Sequence, residues 1–163
     1  LSSKLNVDEV LESVMEYATK VVRAEASSLL LLDEKKNELY FDVALGSVKD
    51  QVKQIRIKVG EGIAGWVAKE RQALIVNDVS QDKRFTGKVD KSTQFQTRNI
   101  LAVPLLAKGR LMGVIEGINK QGNQIFGESD KEAFELFASQ AAIAIENAEL
   151  FSAVRREKET PRV

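Results

Sequence analysis

The sequence contains neither histidine nor cysteine among its 163 residues. Histidine and cysteine are the commonest zinc ligands, haem is usually held by one of them, and Ser–His or Cys–His catalytic arrangements need one. Disulfides are excluded too, so cysteine usage says nothing about the redox compartment. Asp and Glu pairs could still perform acid–base chemistry, but nothing groups them into an obvious constellation. We therefore expect a domain that is not an enzyme and that holds no metal.

A surplus of one charge is lacking as well, because 24 Lys and Arg balance 24 Asp and Glu. Nucleic-acid-binding domains usually carry a basic patch or stripe, so this balance argues against a nucleic-acid partner. No apolar run reaches 18 residues and no signal-like segment opens the chain, so we expect no membrane span in this segment and a cytoplasmic location. The 44% of apolar residues is enough to build one core in a chain of this length.

Hydrophobic periodicity predicts helices at both ends of the chain and strands between them. Apolar residues at three- and four-residue spacing indicate a helix over 6–23, capped by Asn6, and the capping box Ser129-Asp130-Lys131-Glu132 opens a helix that reaches about Arg155. Apolar runs and alternation predict strands over 27–32, 39–45, 55–59, 74–76, 100–106 and 111–118, with a short helix over 63–70. Hairpin connections between these strands favour an α+β fold, an antiparallel sheet with helices packed on it.

A turn containing two glycines, Gly60-Glu61-Gly62, comes directly before the short helix. The backbone amides of Ile63 and Ala64 would then lie at a helix N-terminus, where free N–H groups and the helix dipole favour an anion such as phosphate. The alternative is a turn that needs glycine only for its backbone geometry. The residues alone leave both interpretations open.

Residues 77–99 form a long segment without a clean period. Unstructured loops of this length are uncommon in compact domains, so we expect short helices folded over something. Asp90, Thr93 and Thr97 lie around Phe85 and Phe95, and polar groups that converge among aromatic rings are typical of a small-molecule pocket. A solvated loop anchored by two phenylalanines would have the same composition.

Glu116 stands inside an apolar strand. Alternation puts it on one face with Met112, Val114 and Ile118. A carboxylate among apolar neighbours needs a partner, so Glu116 either reaches solvent or meets a hydrogen-bond donor of a ligand.

The most specific motif in the chain is Asn119-Lys120, followed by Phe126 and Asp130. Together with the stretches at 54–57, 62–65, 90–93 and 97–101, it resembles a GAF domain over about residues 5–152. More narrowly, the chain is similar to the cyclic-nucleotide-binding GAF domains of phosphodiesterases and of some bacterial adenylyl cyclases. The family usually continues the motif with Glu, where this chain has Lys131.

The resemblance implies a six-stranded antiparallel sheet with the N- and C-terminal helices on one face and a helical ligand lid, residues 78–98, on the other. The ligand would lie between sheet and lid. Lys120 and Asp130 would tie strand to helix without touching the ligand. At Ala44, Leu45 and Thr86 the family often has an aromatic residue, an acid and a tyrosine. The ligand-binding positions it implies are Ser28, Ala44, Leu45, Ile63, Ala64, Thr86, Asp90, Thr93, Thr97 and Glu116.

We therefore expect a regulatory domain that binds a small molecule and uses no other cofactor. The resemblance favours a cyclic nucleotide, with cyclic AMP ahead of cyclic GMP. Glu116 would accept a hydrogen bond from the adenine amine, while Leu45 replaces the acid that could accept from guanine. The alternatives are a ligand-free dimerisation module and a sensor of another metabolite.

The last helix carries two apolar rows. One is a core-facing stripe, and the other, Leu136, Ile143 and Leu150, repeats every seven residues, which suits a partner helix. This pattern predicts a homodimer through the terminal helices, unless both rows pack inside one core. We expect residues 1–154 to form the GAF domain and 155–163 to link it to an output domain outside this sequence.

Overall fold

The computed structural model describes residues 4–159, with side chains over 7–150. This part of the chain contains six strands and four α-helices, and two single 3-10 turns lie at Val79–Gln81 and Gln121–Asn123. The elements are α1 (Lys4–Val22), β1 (Ala24–Asp33), β2 (Glu38–Leu45), β3 (Arg56–Lys58), α2 (Gly62–Glu70), β4 (Leu74–Val76), α3 (Lys88–Thr93), β5 (Ile100–Ala107), β6 (Arg110–Lys120) and α4 (Glu128–Glu159).

The six strands form one sheet in the order β3-β2-β1-β6-β5-β4, and every neighbouring pair is antiparallel. The predicted α+β fold is therefore confirmed. On one face, α4 packs against α1 and β5, over a core that includes Met15, Leu29 and Phe134. On the other face, α2 packs on β5 and β6, over a second core that includes Leu30 and Val67.

A bulge in β6 overturns part of the predicted alternation. Leu105 pairs with Gly113, whereas the next residue, Leu106, pairs with Leu111, so Met112 is left over on its strand. One extra residue in a strand turns the side chains beyond it to the opposite face of the sheet. Met112 consequently packs into the core under α1 and α4, and the prediction that it shares a face with Glu116 was wrong.

The predicted helix ends need three corrections. α1 already includes Lys4, so Asn6 lies inside the helix and does not cap it. α4 begins at Glu128, which places Ser129 within its first turn. The reciprocal part of the predicted capping box belongs to Asp130, whose carboxylate accepts a hydrogen bond from the Gly127 N–H at 2.9 Å. α4 continues through Glu159, beyond the predicted end at Arg155, and the last four residues of the predicted linker lie outside the described part of the chain.

Residues 78–98, which we call the lid, contain the predicted short helices: the 3-10 turn Val79–Gln81 and α3. Asp78 caps the 3-10 turn by accepting a hydrogen bond from the Ser80 N–H at 3.1 Å. The lid therefore lies over the sheet face opposite to α1 and α4, where Val79 joins the second core and Phe85 and Val89 pack against it.

Candidate ligand site

The start of α2 is built on two glycines with different roles. Gly62 has φ +68°, a conformation that L side chains rarely adopt. A Cβ on Gly65 would lie 2.6 Å from the carbonyl oxygen of Lys58, so this position allows α2 to approach the end of β3. Gly62, and Gly60 with φ +95°, thus have the local geometric role that the sequence left open, and Gly65 allows the helix N-terminus to lie close to β3.

The first amides of α2 are free of side-chain caps. Glu61 precedes the helix in an extended conformation, and its side chain makes no capping hydrogen bond. The first intrahelical bond runs from the Gly65 N–H to the Glu61 carbonyl at 3.0 Å. The N–H groups of Ile63 and Ala64 belong to the unpaired first turn, and both residues are buried and line a cavity.

This cavity lies between the sheet, the start of α2 and the lid. Its volume is about 90 Å³. The predicted site residues that line it are Ser28, Ala44, Leu45, Ile63, Ala64, Thr86, Asp90, Thr97 and Glu116, together with the two aromatic rings of the lid, Phe85 and Phe95.

The floor of the cavity is a row of residues that pair across neighbouring strands. Ser28 of β1 pairs with Ala44 of β2 on one side and with Glu116 of β6 on the other, and Glu116 pairs in turn with Ala102 of β5. Directly opposite residues in a sheet present their side chains on the same face. The register therefore places one hydroxyl and one carboxyl side by side among small apolar neighbours.

Glu116 has the most unusual environment among these residues. It is only 7% exposed, and burial raises the pKa of its carboxyl from 4.5 to about 7. Among the described residues, neither this carboxyl nor the Ser28 hydroxyl makes a hydrogen bond or ion pair with another residue, and both residues line the cavity. Since buried carboxyl groups are normally paired, the floor of the cavity offers an unused acceptor.

The polar residues of the lid bond mostly to one another. The carboxylate of Asp90 accepts hydrogen bonds from the Thr97 N–H at 2.8 Å and from the Thr97 hydroxyl at 2.7 Å. Thr93 does not line the cavity, since its hydroxyl donates to the Val89 carbonyl at 2.8 Å inside α3. Asp90 and Thr97 thus shape the lid, and Thr93 holds its helix.

The second strand and the lid supply the remaining predicted positions. Ala44 and Leu45 both line the cavity. Ala44 packs against the core on the α2 side of the sheet, whereas Leu45 packs against the core under α1 and α4. Thr86 lies over the start of α2, because its Oγ1 would be 3.8 Å from a Cβ on Gly62. Neither strand position therefore presents a charged or aromatic side chain to the cavity.

Lys120 and Asp130 form the predicted structural tie. The Lys120 Nζ donates to Asp130 Oδ1 at 2.7 Å and Oδ2 at 2.8 Å, outside the residues that line the cavity. Next to it, Asn119 Oδ1 accepts from the Arg98 N–H at 2.7 Å, and Asn99 Oδ1 accepts from the Lys120 N–H at 2.9 Å. This motif therefore fastens the end of the lid and the end of β6 to the first turn of α4.

Sequence reasoning missed the charged residues at the cavity mouth. Lys49, Glu61 and Lys88 all line the cavity. The loop that carries Lys49 has an available signal, because Val48 and Val52 are apolar residues four apart in a polar segment. Nothing in the sequence marks Lys88, since its place depends on how the lid crosses the start of α2.

Comparison with known proteins agrees with this architecture. A probable 3',5'-cyclic phosphodiesterase of Caenorhabditis elegans, pde-5, is 34% identical over 168 residues, which cover 98% of this chain and 23% of that protein. The dual 3',5'-cyclic-AMP and -GMP phosphodiesterase 11A of Takifugu rubripes is 28% identical over 172 residues, 99% of this chain and 19% of that protein. The chain thus spans about a fifth of the length of these curated relatives.

Solved structures share the fold. The GAF domain of a phosphoenolpyruvate-protein phosphotransferase from Coxiella burnetii superposes with a TM-score of 0.81 at 21% identity, covering 90% of this chain and 86% of that one. The sheet, its helical layer and the covered cavity define a small α+β domain. A sequence profile described as a GAF domain matches residues 4–146, and the chain belongs to the GAF domain family. Within residues 4–159, no helix is long and apolar enough to cross a membrane, and no cluster of acidic side chains could hold a metal ion.

Proposed function

We propose that this domain binds a cyclic nucleotide in the cavity, cyclic AMP in preference to cyclic GMP, and that binding regulates an output domain outside this sequence. The observation that carries the proposal is the unpartnered, buried Glu116 carboxyl at the floor of a cavity whose wall holds the uncapped amides of Ile63 and Ala64. A ligand that satisfies both ends needs a hydrogen-bond donor and an anion. Adenine carries the amine donor, and the cyclic phosphate carries the negative charge.

The relatives support the same ligand class. Their names identify them as cyclic phosphodiesterases, and this chain matches about a fifth of their length. A domain of that extent, without histidine or cysteine, fits a regulatory role better than the hydrolytic one. We propose that the domain reports ligand to a partner domain and performs no chemistry itself.

We propose that the lid moves when a ligand enters. Pockets that hold drug-sized molecules usually have volumes of about 300–1,000 Å³, whereas this cavity has a volume of about 90 Å³. The lid is the segment best suited to open, because α3 has six residues and its polar groups bond mainly within the lid. Binding would then hold the lid against the ligand.

A thermal-shift panel tests the ligand class. The purified domain is heated with cyclic AMP, cyclic GMP, adenosine and 2-oxoacids, each at a large excess. A ligand that binds only the folded state adds about 2.7 kcal/mol of stability at a hundredfold excess over its dissociation constant. We expect cyclic AMP to give the largest rise in melting temperature. A rise with 2-oxoacids alone would support a metabolite sensor, and no rise with any compound would support a ligand-free module.

We also propose that a second copy of the domain packs on the terminal helices. Leu136, Ile143 and Leu150 of α4 are each more than half exposed, so this row does not pack inside the core of a single chain. α1 adds a second exposed group, Val10, Tyr17 and Val21, on the same helical layer. Apolar rows at seven-residue spacing on adjacent helices are typical of helical dimers, and a dimer gives ligand binding a route to an output domain.

A further inference from the structure

The mouth of the cavity carries a pair of opposite charges that no sequence pattern indicated. Lys88, the first residue of α3, donates from its Nζ to the Arg56 carbonyl at 2.6 Å. The same ammonium lies 3.6 Å from the Glu61 carboxylate. Since Glu61 comes directly before Gly62, the ammonium lies beside the uncapped start of α2.

At this mouth Glu61 carries a negative charge, and Lys49 and Lys88 carry the positive ones. The Glu61 carboxylate accepts a hydrogen bond from the Lys58 N–H at 3.0 Å, and its residue directly precedes the first turn of α2. A fixed negative charge opposes the helix dipole's attraction for a phosphate. The ammonium of Lys88 cancels that charge and adds a donor on the lid side of the cavity.

We propose that Lys88 gives the cavity its selectivity for an anionic ligand, as a specificity-determining residue carried by the lid. The inference rests on the proposed function and deepens it. The free amides of α2 alone would not define a site, but the same cavity contains the buried, unpartnered Glu116 carboxyl, which independently points to a ligand. The ligand is thus fixed at both ends: a donor faces the floor, and an anion faces the mouth.

Two roles of Lys88 have different consequences. As a lid tie, it holds α3 to β3 through the Arg56 carbonyl whatever the ligand's charge. As a source of positive potential, it favours the cyclic phosphate and does nothing for an uncharged nucleoside. A pair of unit charges about 4 Å apart interacts with about 1 kcal/mol even at the dielectric constant of water, which corresponds to about fivefold in affinity.

Calorimetric titration of cyclic AMP and of adenosine into four proteins tests the proposal. The proteins are wild type, Lys88→Gln, Glu61→Gln and the control Lys91→Gln, which removes an exposed lysine of the same helix that does not line the cavity. We expect Lys88→Gln to weaken the binding of cyclic AMP by about five- to tenfold and to leave the affinity for adenosine unchanged. Glu61→Gln should tighten the binding of cyclic AMP by about two- to fivefold, because it removes the opposing charge. Lys91→Gln should change the affinity for neither ligand.

The outcomes separate this proposal from the function it rests on. If Lys88→Gln lowers the affinity for both ligands equally, Lys88 only ties the lid to β3 and the selectivity role is overturned. Unchanged binding of cyclic AMP by this variant would overturn that role as well. Wild type that binds adenosine as tightly as cyclic AMP would refute selectivity for an anion while leaving the cavity a nucleoside site. Wild type that binds neither compound would refute the proposed function itself, and the role of Lys88 with it.

Discussion

The Lys120 ammonium and the Asp130 carboxylate face each other at 2.7 and 2.8 Å, and they join the last residue of β6 to the first turn of α4. Both side chains are largely buried, 18% and 12% exposed. Asp130 also accepts a hydrogen bond from the Gly127 N–H at the start of the helix. One carboxylate therefore closes a strand-to-helix junction in two ways.

Removal of Asp130 should destabilise the fold. Asp130→Ala leaves the Lys120 ammonium without its partner and frees the Gly127 N–H, so we expect a loss of about 2 kcal/mol. For a domain of this size that corresponds to a fall of about 4–8 °C in melting temperature. Scanning calorimetry measures it, with Lys131→Ala as the matched control, because the pair of Lys131 with Glu128 is exposed on the glutamate side and should contribute at most about 1 kcal/mol. Equal melting temperatures for wild type and Asp130→Ala would contradict the structural role.

Glu116 should make stability fall as pH rises. Its pKa is raised to about 7 in the fold by burial, so between pH 4.5 and 7 the unfolded chain loses this proton while the folded chain keeps it. The unfolded state then binds fewer protons, and the free energy of unfolding decreases with pH across that window, by about 3 kcal/mol in all. Because the chain lacks histidine and cysteine, few other groups titrate between pH 5 and 8.

Glu116→Gln tests this pH dependence, since glutamine keeps the shape of the side chain and does not titrate. Chemical denaturation at pH 5, 6, 7 and 8 gives the free energy of unfolding of both proteins. We expect the free energy of unfolding of the variant to rise relative to that of wild type as the pH rises, and the difference to become constant above pH 7. A constant difference between the two proteins over the whole range would show that the carboxyl is solvated or paired.

The exposed row on α4 should hold the dimer together. Two glutamates introduced by Ile143→Glu with Leu150→Glu would have to lose solvation at a partner helix, so we expect the double variant to be a monomer. Sedimentation of both proteins at tens of micromolar gives the masses. Ile125→Glu is the control, because it makes the same change at an exposed isoleucine outside the helices. A wild type that sediments as a monomer, or a double variant that stays dimeric, would argue against this interface.

The sequence predicted the layers of this fold better than the details of its site. Periodicity placed the terminal helices, the strands and α2, because burial of one face leaves a strong pattern, whereas the short helices of the lid were expected only from the length of a segment without a period. Periodicity failed at Met112, where a bulge turns the side chain to the opposite face of the sheet. The alternation of apolar residues in the sequence does not reveal where a strand has a bulge. The resemblance assigned Thr93 to the ligand, but the hydroxyl bonds within its own helix. Lys88 escaped notice because its position depends on the crossing of two segments that are distant in the chain.

The choice between the two cyclic nucleotides should depend on Glu116. Adenine offers an amine donor, whereas the corresponding position of guanine is a carbonyl acceptor, which the carboxylate form of Glu116, dominant above pH 7, would repel. Neither Ala44 nor Leu45 supplies an acid that could accept from the guanine ring N–H and amine. Each buried donor left unpaired costs about 1–3 kcal/mol, so we expect cyclic AMP to bind about one to two decades more tightly than cyclic GMP.

Two substitutions at Glu116 separate acceptor chemistry from simple packing. Glu116→Ala removes the acceptor, so calorimetry should show cyclic AMP binding weakened at least tenfold and the preference over cyclic GMP largely lost. Glu116→Gln keeps an acceptor and adds an amide N–H donor, which suits the guanine carbonyl. It should therefore improve cyclic GMP relative to cyclic AMP, although the two side chains have nearly the same size. If wild type binds cyclic GMP as tightly as cyclic AMP, or if both variants keep the wild-type affinities, Glu116 does not recognise the base and the ligand assignment fails.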